Sequence, residues 1–158
     1  MDNTREMLRH VLAALAYRAA KALRGAPEGF ADYRAHETAR TPKEIVAHLG
    51  DLLQWTATLA EGDQTWNAST PSPWPDEIAR FHGALRRFDD YLASDQPVVA
   101  PIERLFQGPV ADALTHVGQL VMLRRLAGCP MRSENYYQAK IAIGRVGLEQ
   151  EPPKFEFD

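Results

Sequence analysis

Four stretches of the chain repeat apolar residues at spacings of three and four, the period of a helix with one buried face. The first runs from about Thr4 to Arg24, with Met7, Leu8, Val11, Leu12, Leu15, Ala19 and Leu23 on its stripe, and Gly25-Ala-Pro-Glu-Gly29 stops it. The second has a clear start. Thr41 is placed to cap it, Pro42 fits the first helical position, and Glu44 completes a capping box. Ile45, His48, Leu49, Leu52, Leu53, Thr56 and Leu59 then share one broad face, which points His48 inward with the core, and the helix fades at Glu61-Gly-Asp63. A third helix is predicted from about Asp76 to Ala93 on Ile78, Phe81, Leu85, Phe88 and Leu92. A fourth is predicted from about Pro109 to Leu126, with Val110, Ala113, Leu114, Val117, Leu120 and Val121 inward and Gly128 just past its end.

Between these helices the pattern breaks. Asn67 to Pro75 carries three prolines in its last five residues, which forbids a helix there. Pro97 and Pro101 bracket a second connector. A short fifth helix is expected from about Glu134 to Ile143, and the tail from Glu149 is expected to be extended or loose. No strand-like alternation of useful length, repeat or low-complexity tract is visible. The expected fold is therefore all-α: a four-helix bundle over residues 1–147, with long crossover connections, a short C-terminal helix and a tail over 148–158.

The 158 residues suffice for one domain with a real core. The net charge of -3 and pI near 6.0 speak against nucleic-acid binding, which favours a basic face. The basic pairs Arg86-Arg87 and Arg124-Arg125 lie within amphipathic helices and read as solvated faces. A single cysteine, Cys129, excludes an intrachain disulfide and fits a reducing compartment. The start, Met1-Asp-Asn-Thr-Arg-Glu6, lacks the basic and apolar regions of a signal peptide, and no run is long enough to span a membrane. The expected location is the cytoplasm.

Chemistry concentrates on two helices. Asp112 and His116 are four residues apart on the fourth, hence on one face. His48 lies two turns into the second. Brought together they form a cage of two imidazoles and one carboxylate with open positions, a donor set suited to a divalent transition metal. Read without a metal, His116 is a core histidine hydrogen-bonded to Asp112. Gln119, one turn beyond His116, can orient a ligand or bridge two helices, and Gly118 suits the close approach of another helix. His10, His36 and His82 read as surface or edge histidines. Trp55, Trp66 and Trp74 read as core and loop anchors, with Trp55 placed to line a cleft beside His48. Cys129 follows a helix C-terminus, whose negative end disfavours a thiolate nucleophile. Arg124 and Arg125 suit that same helix end electrostatically, and Glu134 and Tyr136 are candidates for polar contacts near the bundle mouth. No nucleophile elbow, Walker loop, dinucleotide fingerprint or CxxC pair is present.

The segment Asp112-Ala-Leu-Thr-His116-Val-Gly118-Gln119-Leu120 resembles the last-helix signature of the DinB-like family of DNA-damage-inducible helix bundles: a His, three residues, a second His, one residue, then Gly-Gln and an apolar residue. Pro42-Lys-Glu-Ile-Val-Ala-His48-Leu49 resembles its second-helix signature, a single His deep in an apolar helix. The resemblance covers nearly the whole chain. It implies a divalent metal, such as Zn or Ni, held at His48, Asp112 and His116. The departure is Asp112, where the family has a third His; a carboxylate shifts the preference toward harder ions such as Mn or Fe.

The resemblance further implies a homodimer and chemistry with low-molecular-weight thiols: a metal-dependent S-transferase or hydrolase acting on a small molecule, with no membrane or nucleic-acid partner. The alternative is a non-catalytic helical-bundle dimer that binds a metal or a small ligand. A third reading, a protein that grips DNA, rests on the family's name alone and conflicts with the acidic balance. No residue is assigned a catalytic role from the sequence.

Overall fold

Thr41 starts the helix that carries the first candidate ligand, and it does so by a closed pair of bonds. Its hydroxyl accepts from the Glu44 amide, and the Glu44 carboxylate accepts from the Thr41 amide at 2.7 Å. A cap of this kind contributes about 1 kcal/mol and sets the helix start to the residue. The structure, a computed structural model, describes residues 3–157. Met1, Asp2 and Asp158, which the sequence assigns to the lead-in and the tail, lie outside the described residues.

The helices are α1 (Asn3–Leu23), α2 (Pro42–Glu61), α3 (Trp74–Ala93), the single turn α4 (Ile102–Leu105) and α5 (Ala111–Leu126). Helix α2 packs on α3, α3 on α1, α1 on α5 and α5 back on α2. Leu12, Leu15, Leu49, Leu53, Phe81, Leu85, Phe88 and Leu120 fill the space they enclose. Gly62, in the left-handed conformation, ends α2 where the sequence expected. Among the described residues no helix is long and apolar enough to cross a membrane.

Three expectations are corrected. The predicted fifth helix does not form. Ser133–Glu134 (β1) pairs antiparallel with Glu156–Phe157 (β2), and Tyr136–Gln138 makes one 3-10 turn. The cause is tertiary. The buried Glu134 carboxylate accepts from the Tyr17 hydroxyl at 2.7 Å and from Lys21 at 3.0 Å, and Lys21 also pairs with Glu156 at 2.9 Å. The Asn135 side chain accepts from the Tyr137 amide, a turn that competes with helix. Second, Met7, placed on the first stripe, is 64% exposed. Third, Arg124 is buried, not solvated: it donates to the carbonyls of Ala22, Arg24 and Cys129, satisfying the open end of α1.

Helices α2 and α3 are locked by Arg80. Its guanidinium donates to Asp51 Oδ1 at 2.8 Å, to Glu77 Oε2 at 2.9 Å, to the Ala47 carbonyl at 2.6 Å and to Ser69 Oγ at 2.8 Å. Asp51 and Glu77 are both buried. The plane of the guanidinium lies against the α2 backbone at Gly50, where a Cβ would stand 2.8 Å from Arg80 Cζ.

His82 also departs from expectation, being buried with Nε2 unpartnered while Nδ1 bonds the Ile78 carbonyl at 2.9 Å. Burial, the dominant cause, pushes its pKa below the usual histidine value against that hydrogen bond.

Three outcomes follow from these buried groups. Arg80→Ala strands two buried carboxylates and is expected to lower unfolding free energy by about 3 kcal/mol or more, measured by urea denaturation. Gly50→Ala is expected to destabilise as well, although alanine is the better helix former, because it displaces the same guanidinium; a gain in stability would refute the role of the clamp. For His82, the unfolded chain takes up a proton as the pH falls through about 6.5 while the folded ring resists it, so stability is lost below that pH. His82→Leu is expected to flatten this acid limb between about pH 7 and pH 5; a limb unchanged in the variant would assign it elsewhere.

Candidate metal centre

His48 projects from α2 two turns past its cap, and Asp112 and His116 project from α5 one turn apart. The approach of α5 is set just upstream. Pro109 has no N–H to give the Leu105 carbonyl and would clash with it in a continuous α-helix. The chain widens there into a π-helical turn, Phe106–Val110, before α5 resumes at Ala111. Such turns often stand beside functional residues.

The three side chains converge. One donor atom from each lies within 4.8 Å of the others. Asp112 Oδ2 is 3.7 Å from His48 Nε2 and 3.5 Å from His116 Nε2. The two imidazoles meet edge to face with centroids 4.7 Å apart. Donors about 2.05 Å from an ion at tetrahedral angles stand about 3.3 Å from one another. The two carboxylate edges match that spacing to within a few tenths of an ångström, which makes the three side chains a possible site for a divalent ion.

The protonation pattern fits as well. The Nδ1–H of His116 donates to Gln119 Oε1 at 2.8 Å. That bond fixes the tautomer and leaves the Nε2 lone pair facing the cluster. The pKa of His48 is lowered, first by burial and then by the charges of His116 and Arg40, with Asp112 and Asp51 opposing. The neutral imidazole, the form that ligates, is thereby favoured.

The centre opens to solvent. His48 and His116 are half-buried and Asp112 is exposed. A cleft of about 480 Å³ runs along His116 and Gln119 to Ile45, Met122 and Leu123. A second, of about 440 Å³, runs along His48 to Trp66 and Ser69. Residues Thr38 to Arg40 wall both.

The sequence-derived residues divide accordingly. His48, Asp112, His116 and Gln119 come together. His48 sits at the rim of the core rather than within it, because α5 meets α2 there through polar side chains. Trp66, not Trp55, touches His48, at 5.9 Å between rings, and Trp55 backs Trp66 at 5.6 Å. Gly118 is exposed and, among the described residues, no other helix stands within 4 Å of where its Cβ would be. Glu134 and Tyr136 join α1 instead of the centre, Tyr136 lying edge-on to Tyr17 under Arg18. His10 and His36 are exposed as expected. Sequence reasoning missed Arg40 and Arg80. Arg40 stands directly before the recognised cap Thr41, so its place two turns from His48 was within reach; Arg80 carries no local signal.

No family model matches the sequence, and no curated protein or solved structure matches the chain at a significant level.

Removing the Gln119 contact frees the His116 ring and weakens Nε2 as a donor. Gln119→Ala is expected to cut affinity for zinc about 10- to 100-fold in competition titrations with a chelating dye. An unchanged affinity would show that this bond does not tune the ligand.

Proposed function

We propose that this chain is a divalent-metal-dependent enzyme of the DinB-like kind, with His48, Asp112 and His116 as the metal ligands. The observation that carries this reading is the convergence of three donors from two separate helices at metal-ligand spacing, with one imidazole tautomer already set by Gln119. The ring of contacts from α1 through α3, α2 and α5 supports a four-helix bundle as its architecture.

Three protein ligands leave positions for a reactant, as catalytic rather than structural sites do. A divalent ion there supplies Lewis acidity, lowering the pKa of a thiol or water that reaches it. The chain's own part is to favour the neutral form of His48, to hold the His116 ring through Gln119, to keep the carboxylate between the two rings, and to leave the approach open through the two clefts. A transferase using a low-molecular-weight thiol and a hydrolase both fit these features. The carboxylate in place of a third imidazole lowers the charge of a bound divalent ion's site by one and favours Mn or Fe relative to an all-histidine site, with Zn and Ni still accommodated.

Elemental mass spectrometry on untagged protein tests this. The wild type is expected to carry close to one equivalent of metal, and His48→Ala, Asp112→Ala and His116→Ala to lose it while remaining folded by circular dichroism. The cobalt-substituted protein is expected to change its visible spectrum when 2-mercaptoethanol is added. No metal after incubation with Zn, Ni, Mn and Fe would end the metalloenzyme reading. Metal without any response to thiol would favour the non-catalytic binding protein.

A further inference from the structure

We infer that the cleft beside His116 binds a small organic carboxylate, with Arg40 pairing to its carboxylate group and Ile45, Met122 and Leu123 holding an apolar body. This deepens the proposed metalloenzyme and rests on it only for the role of the ligand's reacting end.

The first support is charge. Two arginines line the two clefts, and one of them is neutralised within the chain: Arg34 pairs with Glu44. Among the described residues no carboxylate forms an ion pair with Arg40. A divalent ion on two neutral imidazoles and one carboxylate adds a further net positive charge. The mouth therefore carries uncompensated positive charge that a ligand anion would meet, and a planar guanidinium matches a carboxylate in two parallel hydrogen bonds.

The second support is placement. The backbone on both sides of Arg40 is tied down. The Ala39 carbonyl accepts from Arg34, and Thr41 is held in the capping box. Arg40 is thus displayed from a fixed position on the wall common to both clefts. The third support is the character of the cleft. Its volume of about 480 Å³ lies in the range of small-molecule sites. Apart from Thr38, Arg40, His116 and Gln119, it is lined by aliphatic and thioether groups. Met122, 56% exposed, is a large apolar side chain left open to water on the α5 face that also carries Gln119. A ligand with a charged end and an apolar body satisfies both halves at once. A purely apolar ligand would leave Arg40 unpaired, and a small inorganic anion would leave Met122 and Leu123 uncovered.

The test uses hexanoate and its uncharged counterpart hexan-1-ol, titrated calorimetrically at constant ionic strength into full-length protein, both metal-free and cobalt-loaded. Wild type is expected to bind hexanoate more tightly than hexanol. Arg40→Ala is expected to weaken hexanoate about tenfold or more while leaving hexanol unchanged, with Arg40→Lys intermediate. Met122→Asp is expected to weaken hexanoate further by removing apolar cover and repelling the anion. Equal hexanoate affinity in wild type and Arg40→Ala, equal affinity of wild type for acid and alcohol, or no saturable binding would each overturn the inference. Cobalt uptake by the wild type separates the two readings. Cobalt bound without Arg40-dependent hexanoate binding refutes only the carboxylate site. Arg40-dependent hexanoate binding without cobalt uptake refutes only the metal centre.

Discussion

Arg80 decides where the connector between α2 and α3 runs, and the connector decides what covers His48. One guanidinium joins the buried Asp51 of α2, the buried Glu77 of α3, a main-chain carbonyl of α2 and Ser69 of the connector. Asp51 also accepts from the Ser69 amide and hydroxyl, and Glu77 accepts from the Ser72 amide. The loop is thereby tied down at two points, three residues apart. Trp66, three residues before Ser69, is carried onto His48 by that anchorage. Two carboxylates and a guanidinium out of water carry a large desolvation cost, so none of the three tolerates the loss of its partner. The arrangement also needs the bare backbone at Gly50, since any side chain there would occupy the guanidinium's place.

Legibility in the sequence followed how local the deciding physics was. The capping box of α2, its glycine stop and the helical stripes all act within a few residues, and each appears in the structure close to the expected position, Met7 on the first stripe excepted. The i, i+4 pair of Asp112 and His116 is equally local. What failed was decided by distant partners. Residues 134–143 have a helical composition, yet Glu134 is drawn to Tyr17 and Lys21 more than a hundred positions away, and the segment turns instead. Arg124 looked like a solvated cation at a helix end. Besides the nearby Cys129 carbonyl, its partners are the carbonyls of Ala22 and Arg24 at the end of α1, far in sequence. His82 looked like an edge histidine because a helical stripe has no sharp border; the structure places it inside that border. Pro109 reads as a helix start, whereas α4 and a π-helical turn precede α5 and set how Asp112 approaches.

The candidate centre sits where the four long helices stop being a purely apolar contact. On the α2 side, Ile45, Leu49 and Leu52 stay buried around His48; on the α5 side, Ala113, Val117 and Leu120 do the same around His116. The two histidines and Asp112 form the polar seam between these faces, open to solvent along one edge. Such a seam is a weak packing contact by itself. Its stability comes from the apolar residues on either side, which leaves the polar groups free to be arranged for a ligand rather than for the fold.

Without an ion, the same three groups pose an electrostatic problem that limits what the site can be. Two imidazoles 4.7 Å apart disfavour double protonation, and burial together with Arg40 pushes His48 toward the neutral form. Asp112, at 3.5 and 3.7 Å from the two ring nitrogens, lies beyond a good hydrogen bond to either. The carboxylate stands back from both rings by nearly the same amount, while the outer nitrogen of His116 is bonded to Gln119. Three donors held at this spacing form a group that could hold a cation. Such a cation would add positive charge beside Arg40 on the adjoining wall, which forms no ion pair with a carboxylate among the described residues.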